Sequence, residues 1–210
     1  MPLQNRVTPF GRIIAVPNRG MFMGNRGCLH DDQRRIVRQV CSYKAWVACL
    51  TEFRGRKRKL MTPGHYTELF FLDEATALAA GHRPCGECRR ADYRRFRAAW
   101  LAGNVVAGLG ENPSVKLIDQ HMHSDRLTDA GEKRVYRAVC RDLPDGAFVR
   151  LLDTDDAYLV WRGRLHRWTP AGYDLARPAE SDEIVEVLTP RSVIRALTAG
   201  YEPVVSSIAT

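Results

Sequence analysis

Ala77-Leu78-Ala79-Ala80-Gly81-His82-Arg83-Pro84-Cys85-Gly86-Glu87-Cys88-Arg89-Arg90 is the stretch on which the reading of this chain turns. An alanine-rich run closing on glycine marks a helix and its C-terminal stop. The Cys-x-x-Cys that follows can present two sulfurs to one ion. An ion gathers ligands from distant parts of a chain, so this turn is expected to fix the fold of the N-terminal half.

Working outward, Asp73 is placed to cap a helix over 74–80, ended by Gly81. Residues 66–72 and 43–53, rich in β-formers, read as strands. Between them, Arg54-Gly55-Arg56-Lys57-Arg58-Lys59 reads as a charged hairpin tip, with Leu60-Met61 starting the returning strand. Asp31 and Asp32 can cap a helix reaching Val40, and Gly20, Gly24 and Gly27 make a loop around Asn25 and Arg26. Beyond the cysteines, a helix over 91–101 puts Tyr93, Phe96 and Trp100 on one face.

The remainder differs in character. Residues 115–118 read as a strand and 130–139 as a helix. Pro144-Asp145-Gly146 is a turn signal, and 157–161 and 165–168 flank Arg162-Gly163-Arg164 as a hairpin. Residues 184–188 read as a strand, with a helix over 192–199 ending at Gly200. The class is therefore expected to be α+β: a hairpin-and-helix zinc module over 1–105, then a mixed α+β half over 106–210.

Composition bounds the function. With 45% hydrophobic and 27% charged residues among 210, the chain is globular material. The N-terminus reads as no signal peptide and no apolar run is long enough for a bilayer, so a cytoplasmic protein is expected. In that compartment the six cysteines are not expected to form disulfides, and the Cys-x-x-Cys points to metal or redox chemistry. The net charge of +8 is uneven: residues 1–149 carry 25 Lys+Arg against 15 Asp+Glu, and 150–210 carry 7 against 9. The larger part is suited to a polyanion, nucleic acid above all.

Residues 67–90, running from Thr67-Glu68-Leu69 through Ala-Leu-Ala-Ala-Gly to Arg83-Pro84-Cys85-Gly86-Glu87-Cys88, resemble the zinc-binding module of the Ada DNA-methylation repair family. The resemblance spans residues 45–97 and implies a structural zinc and work on DNA, more than RNA, in repair or processing. In that family two further cysteines lie upstream, at positions matched here by Met61 and His65. The first is the family's methyl-accepting nucleophile; a methionine thioether cannot play that part, so methyl transfer is not carried over. Cys49 is the candidate for the missing ligand, giving a Zn2+ set of Cys49, His65, Cys85 and Cys88, with Cys28 and His30 as rivals. Cys41 and Cys140 read as packing residues.

The Pro-Cys-x-x-Cys also resembles the second zinc motif of cytidine deaminases, but Cys49-Leu50-Thr51-Glu52 is one residue too long for that family's upstream ligand-x-Glu. Candidate nucleic-acid contacts are Arg54, Arg56, Lys57, Arg58 and Lys59 at the hairpin, with Arg83, Arg89, Arg90, Arg94 and Arg95 around the cysteines. Asp119-Gln120-His121-Met122-His123-Ser124-Asp125 gathers imidazoles and carboxylates, which makes Asp119, His121 and Glu132 candidates for a metal-dependent nuclease. A zinc-stabilised protein-interaction module is the remaining alternative.

Overall fold

The computed structural model describes residues 1–55, 59–105, 109–110, 112–179 and 182–207. Its centre is helix α1, Glu74–Ala79, in which every residue is buried. Asp73 caps it, accepting from the Thr76 amide at 2.8 Å and the Thr76 hydroxyl at 2.7 Å. Small side chains let three cores converge on this one short helix. Ala77 belongs to the first core, Leu78 to the second, and Ala75 and Ala79 to the third.

The first core lies on a six-stranded sheet built from β1 (Gln4–Val7), β2 (Ile13–Ala15), β3 (Phe22–Asn25), β4 (Val47–Leu50), β5 (Leu69–Phe71) and β6 (Arg83–Pro84). The strand order is β2-β1-β5-β3-β4-β6, with β1–β5 and β4–β6 parallel. The second core is helical: α2 (Arg90–Gly103), α3 (Val115–Arg126) and α4 (Arg191–Thr198) bring Phe96, Trp100, Ile118, Met122, Val193 and Leu197 onto Leu78. The third lies against a second six-stranded sheet, in the order β11-β10-β9-β8-β12-β7 and antiparallel throughout. Its strands are β7 (Tyr136–Val139), β8 (Phe148–Arg150), β9 (Ala157–Trp161), β10 (Arg164–Thr169), β11 (Gly172–Pro178) and β12 (Ile184–Val187). The class is α+β.

The two acids at the start of α1 tie in the rest of the chain. Asp73 accepts from the Tyr173 hydroxyl at 2.7 Å and the Ser206 amide at 2.9 Å. Glu74 accepts from Arg89 at 2.8 Å, the Tyr201 hydroxyl at 2.7 Å and the Val204 amide at 2.9 Å. At the other end Gly81 takes φ +85°, and an added Cβ there would come within 2.5 Å of Arg126 Cδ. Only glycine closes the helix this way without strain.

Several elements differ from expectation, each for a local reason. Residues 31–40 form no helix, because the Asp31 carboxylate takes the Gln33 and Arg35 amides at 2.9 Å and Arg34 turns to φ 60°. This Asx-type turn diverts the backbone bonds a helix would need. The middle of the glycine loop is strand β3, where the missing Cβ of Gly24 leaves room for the Phe71 ring. Leu60 and Met61 start no strand: Met61 sits at φ 53°, fully buried, its amide held by Glu68 at 2.7 Å. Residues 115–118 are the first turn of α3, capped by Ser114, with Ile118 and Met122 one turn apart on the buried face. In 130–139 the helical pattern yields to pairing of β7 with β12, after Gly131 turns the chain at φ 79°. The hairpin over 157–168 forms as expected, with Arg162 and Gly163 at φ 50° and 70° supplying the type I′ geometry.

Candidate metal centre

Strand β4 carries Cys49, and β6 runs parallel beside it with Val47 opposite Arg83 and Ala48 opposite Pro84. That register continues one residue further, where the Cys85 amide donates to Ala48 O at 2.9 Å. The chain then turns through Gly86 and Glu87, and Cys88 arrives just before α2. Two amides point at the sulfurs: Glu87 N–H at Cys85 Sγ and Leu50 N–H at Cys88 Sγ, both at 3.4 Å. The three half-buried cysteines lie with their sulfurs within 4.8 Å of one another.

This donor set fits a thiophilic ion. Zinc–sulfur bonds of about 2.3 Å in a tetrahedron put sulfurs about 3.8 Å apart, within the observed spacing. The thiols already share charge unequally. The Cys85 thiol is lowered to about 5, first because Cys49 donates to it, then because backbone amides do. Cys49 is raised because it keeps its proton in that bond, and Cys88 is raised by burial and by the charge on Cys85. An arriving divalent ion would therefore displace protons from the trio as it binds.

Among the described residues, no other set of three or more His, Cys, Asp or Glu side chains is gathered this closely. His65 is outside the group. It is exposed, with Nδ1 hydrogen-bonded to Pro63 O at 3.1 Å. Cys28 is exposed, its thiol toward His30 O at 3.7 Å, and buried His30 is held by the Thr67 hydroxyl at 2.6 Å. The Cys41 thiol donates to Arg26 O at 2.8 Å, and Cys140 packs in the core beside β8. The cysteine trio opens onto a cavity of about 340 Å3 walled by Leu60, Tyr66, Glu68 and Phe70.

The candidate nucleic-acid contacts separate into two groups. Arg83 and Arg89 are turned inward and unavailable to a phosphate: Arg83 grips Asp119 through two bonds of 2.7 and 2.8 Å, and Arg89 bonds Glu74 and Asp92. Arg54, Lys59, Arg90, Arg94 and Arg95 are exposed, with Arg95 also paired to Asp92 at 2.8 Å. Arg56, Lys57 and Arg58 lie outside the described residues.

The candidate catalytic residues do not converge. Asp119 is buried as the partner of Arg83. His121 packs edge-on against Trp100 at 5.5 Å, and Glu132 is exposed in the loop before β7. Sequence reasoning placed Arg26 in the glycine loop but missed its meeting with Arg126, both buried cations that stack on Trp46, because no spacing pattern joins residues so far apart.

Among the described residues no helix is long and apolar enough to cross a membrane. In comparisons with known proteins, no family model matches the sequence, and no curated protein or solved structure matches it either.

Proposed function

We propose that this is a zinc protein that binds nucleic acid, DNA more than RNA, in repair or processing. Cys49, Cys85 and Cys88 hold the ion, and it fastens β4 and β6 to the start of α2. The observation that carries the reading is the convergence of three sulfurs from two sequence segments within 4.8 Å. The resemblance of residues 67–90 to the Ada zinc module agrees with a metal role for the Cys85–Cys88 turn, although here Cys49 joins it rather than residues 61 and 65. Exposed Arg90 and Arg94 stand on the first turns of the helix that leaves this turn, placed to meet phosphates.

A second reading, a nucleic-acid-modifying enzyme, is favoured by one feature. Cys49, Cys85 and Cys88 line a cavity, and a zinc held by these three alone would leave a position for water or substrate, as in catalytic rather than closed structural zinc sites.

The test combines elemental analysis with binding. Purified chain is expected to carry one zinc. It should retain labelled DNA with an affinity that falls steeply with salt, and R90Q/R94Q should flatten that salt slope by about one phosphate per residue. Incubation with single- and double-stranded DNA and RNA, with and without Mg2+ or Mn2+, reads cleavage and deamination in the same samples. Absence of stoichiometric metal removes the zinc reading. Salt-independent binding, or a variant indistinguishable from wild type, removes the nucleic-acid one.

A further inference from the structure

A second cavity, of about 440 Å3, shares no lining residue with the cysteine cavity. Arg26, Arg126 and Lys133 line it. Arg26 and Arg126 each keep 2% of their exposure and stack on Trp46, with guanidinium carbons 4.4 and 3.9 Å from the ring centre. Their hydrogen bonds run to carbonyl oxygens: Arg26 to Gly11 and Gln39, and Arg126 to Gly81 and Lys44, with His123 Nδ1 beside it. Lys133 Nζ donates to Ala79 O at 2.7 Å. Arg26 Nε and Nη2 and Arg126 Nε have no partner.

The other two deeply buried arginines show what is missing. Arg83 has Asp119 and Arg89 has Glu74, each at under 3 Å. Among the described residues, no carboxylate pairs with Arg26, Arg126 or Lys133. The carboxylates on the cavity wall are otherwise placed: Glu186 and Asp155 both pair with Arg150, and Glu132 is exposed. Buried positive charge without a counter-ion is costly, and an anion bound beside it would offset that cost. Burial is the first cause that lowers Arg26 and Arg126 to about 9 and Lys133 to about 7; neighbouring cations add to it at Arg126 and Lys133, and the charge of Asp119 acts in the opposite sense on Arg126.

We infer that this cavity is a binding site for a phosphate group, received by Arg26, Arg126 and Lys133. Two forked guanidiniums and one ammonium supply donors for the several oxygens of a dianion. The volume exceeds that of inorganic phosphate, and Phe10, Val40 and Leu188 add apolar wall. The site therefore suits a phosphate monoester carrying a small organic group, a mononucleotide being of the right size. It lies apart from the proposed zinc and stands or falls independently of it.

The experiment is thermal denaturation and calorimetric titration of the full chain. The probes are inorganic phosphate and adenosine 5′-monophosphate, each against chloride at matched ionic strength. Both phosphates are expected to raise Tm and bind, and the tighter of the two identifies the source. Lys133→Gln, at a half-buried position, is expected to weaken binding about tenfold or more while keeping the unliganded Tm at or above wild type. Arg12→Gln, at the exposed rim of the same cavity, keeps the fold testable and should weaken binding less. The inference is overturned if neither phosphate exceeds chloride, or if K133Q binds both as tightly as the wild type.

Discussion

Arg89 donates to Glu74 at 2.8 Å across a contact sealed from water, the two side chains keeping 1% and 0% of their exposure. Arg89 directly follows Cys88, so this ion pair fastens the cysteine turn to the central helix. Glu74→Ala would leave the guanidinium buried with Asp92 alone, and the Tyr201 hydroxyl and Val204 amide without an acceptor. Loss of about 3–5 kcal/mol is expected in urea denaturation. An unchanged midpoint would show that the pair contributes little.

Cys49→Ser and Cys85→Ser should abolish stoichiometric metal and lower Tm, whereas Cys28→Ser and Cys140→Ala should retain the ion. The contrast separates ligand loss from general damage, because Cys140 is as deep in a core as any cysteine here. Elemental analysis of the four variants decides it. Metal release should also begin on acidification, as protons compete for the sulfurs.

His82 is fully buried, with its ring 4.6 Å from Phe71 and 5.1 Å from Trp46. Burial, and then the charges of Arg26 and Arg126, hold its pKa well below 6.5. The unfolded chain therefore takes up a proton near 6.5 that the folded chain refuses. Stability present above that pH should be lost as the pH falls below it, by about 1.4 kcal/mol per unit for one proton. His123 and His166 are lowered in the same sense. Denaturation between pH 7 and 5 should show this slope, and His82→Phe should reduce it; an equal slope in the variant would assign it elsewhere.

Gly81→Ala should cost about 1–3 kcal/mol, because φ +85° disfavours any side chain and the new Cβ meets Arg126. Combining it with Arg126→Ala should recover the steric part of that loss but not the backbone part. A double-mutant cycle by urea denaturation measures the split.

Much of the fold was legible because it rests on local chemistry. Asp73, Gly81, Pro144-Asp145-Gly146 and Arg162-Gly163 act on their own neighbours, and each forms the cap or turn its residues favour. Helix α3 and strand β7 were misread because their state is decided by distant partners, α4 and the Leu78 core in one case and β12 in the other. At the candidate site, Cys85 and Cys88 were legible from spacing alone. Cys49, already the candidate for a further ligand, is brought in by a parallel pairing that no local pattern encodes, and His65 stays outside. The inward turn of Arg83 and Arg89 was equally hidden, since an arginine in sequence looks the same whether it faces solvent or a buried carboxylate.

The acids at the head of α1 are answered by partners far ahead in the chain: Tyr201 lies 127 residues beyond Glu74, and Ser206 lies 133 beyond Asp73. Until that part of the chain has been made, Asp73 has only its Thr76 cap and the Tyr173 hydroxyl, and Glu74 only Arg89, so the closing bonds of the helix head form last. Loss of Tyr201, Val204 and Ser206 would therefore reopen the middle of the molecule rather than fray its edge.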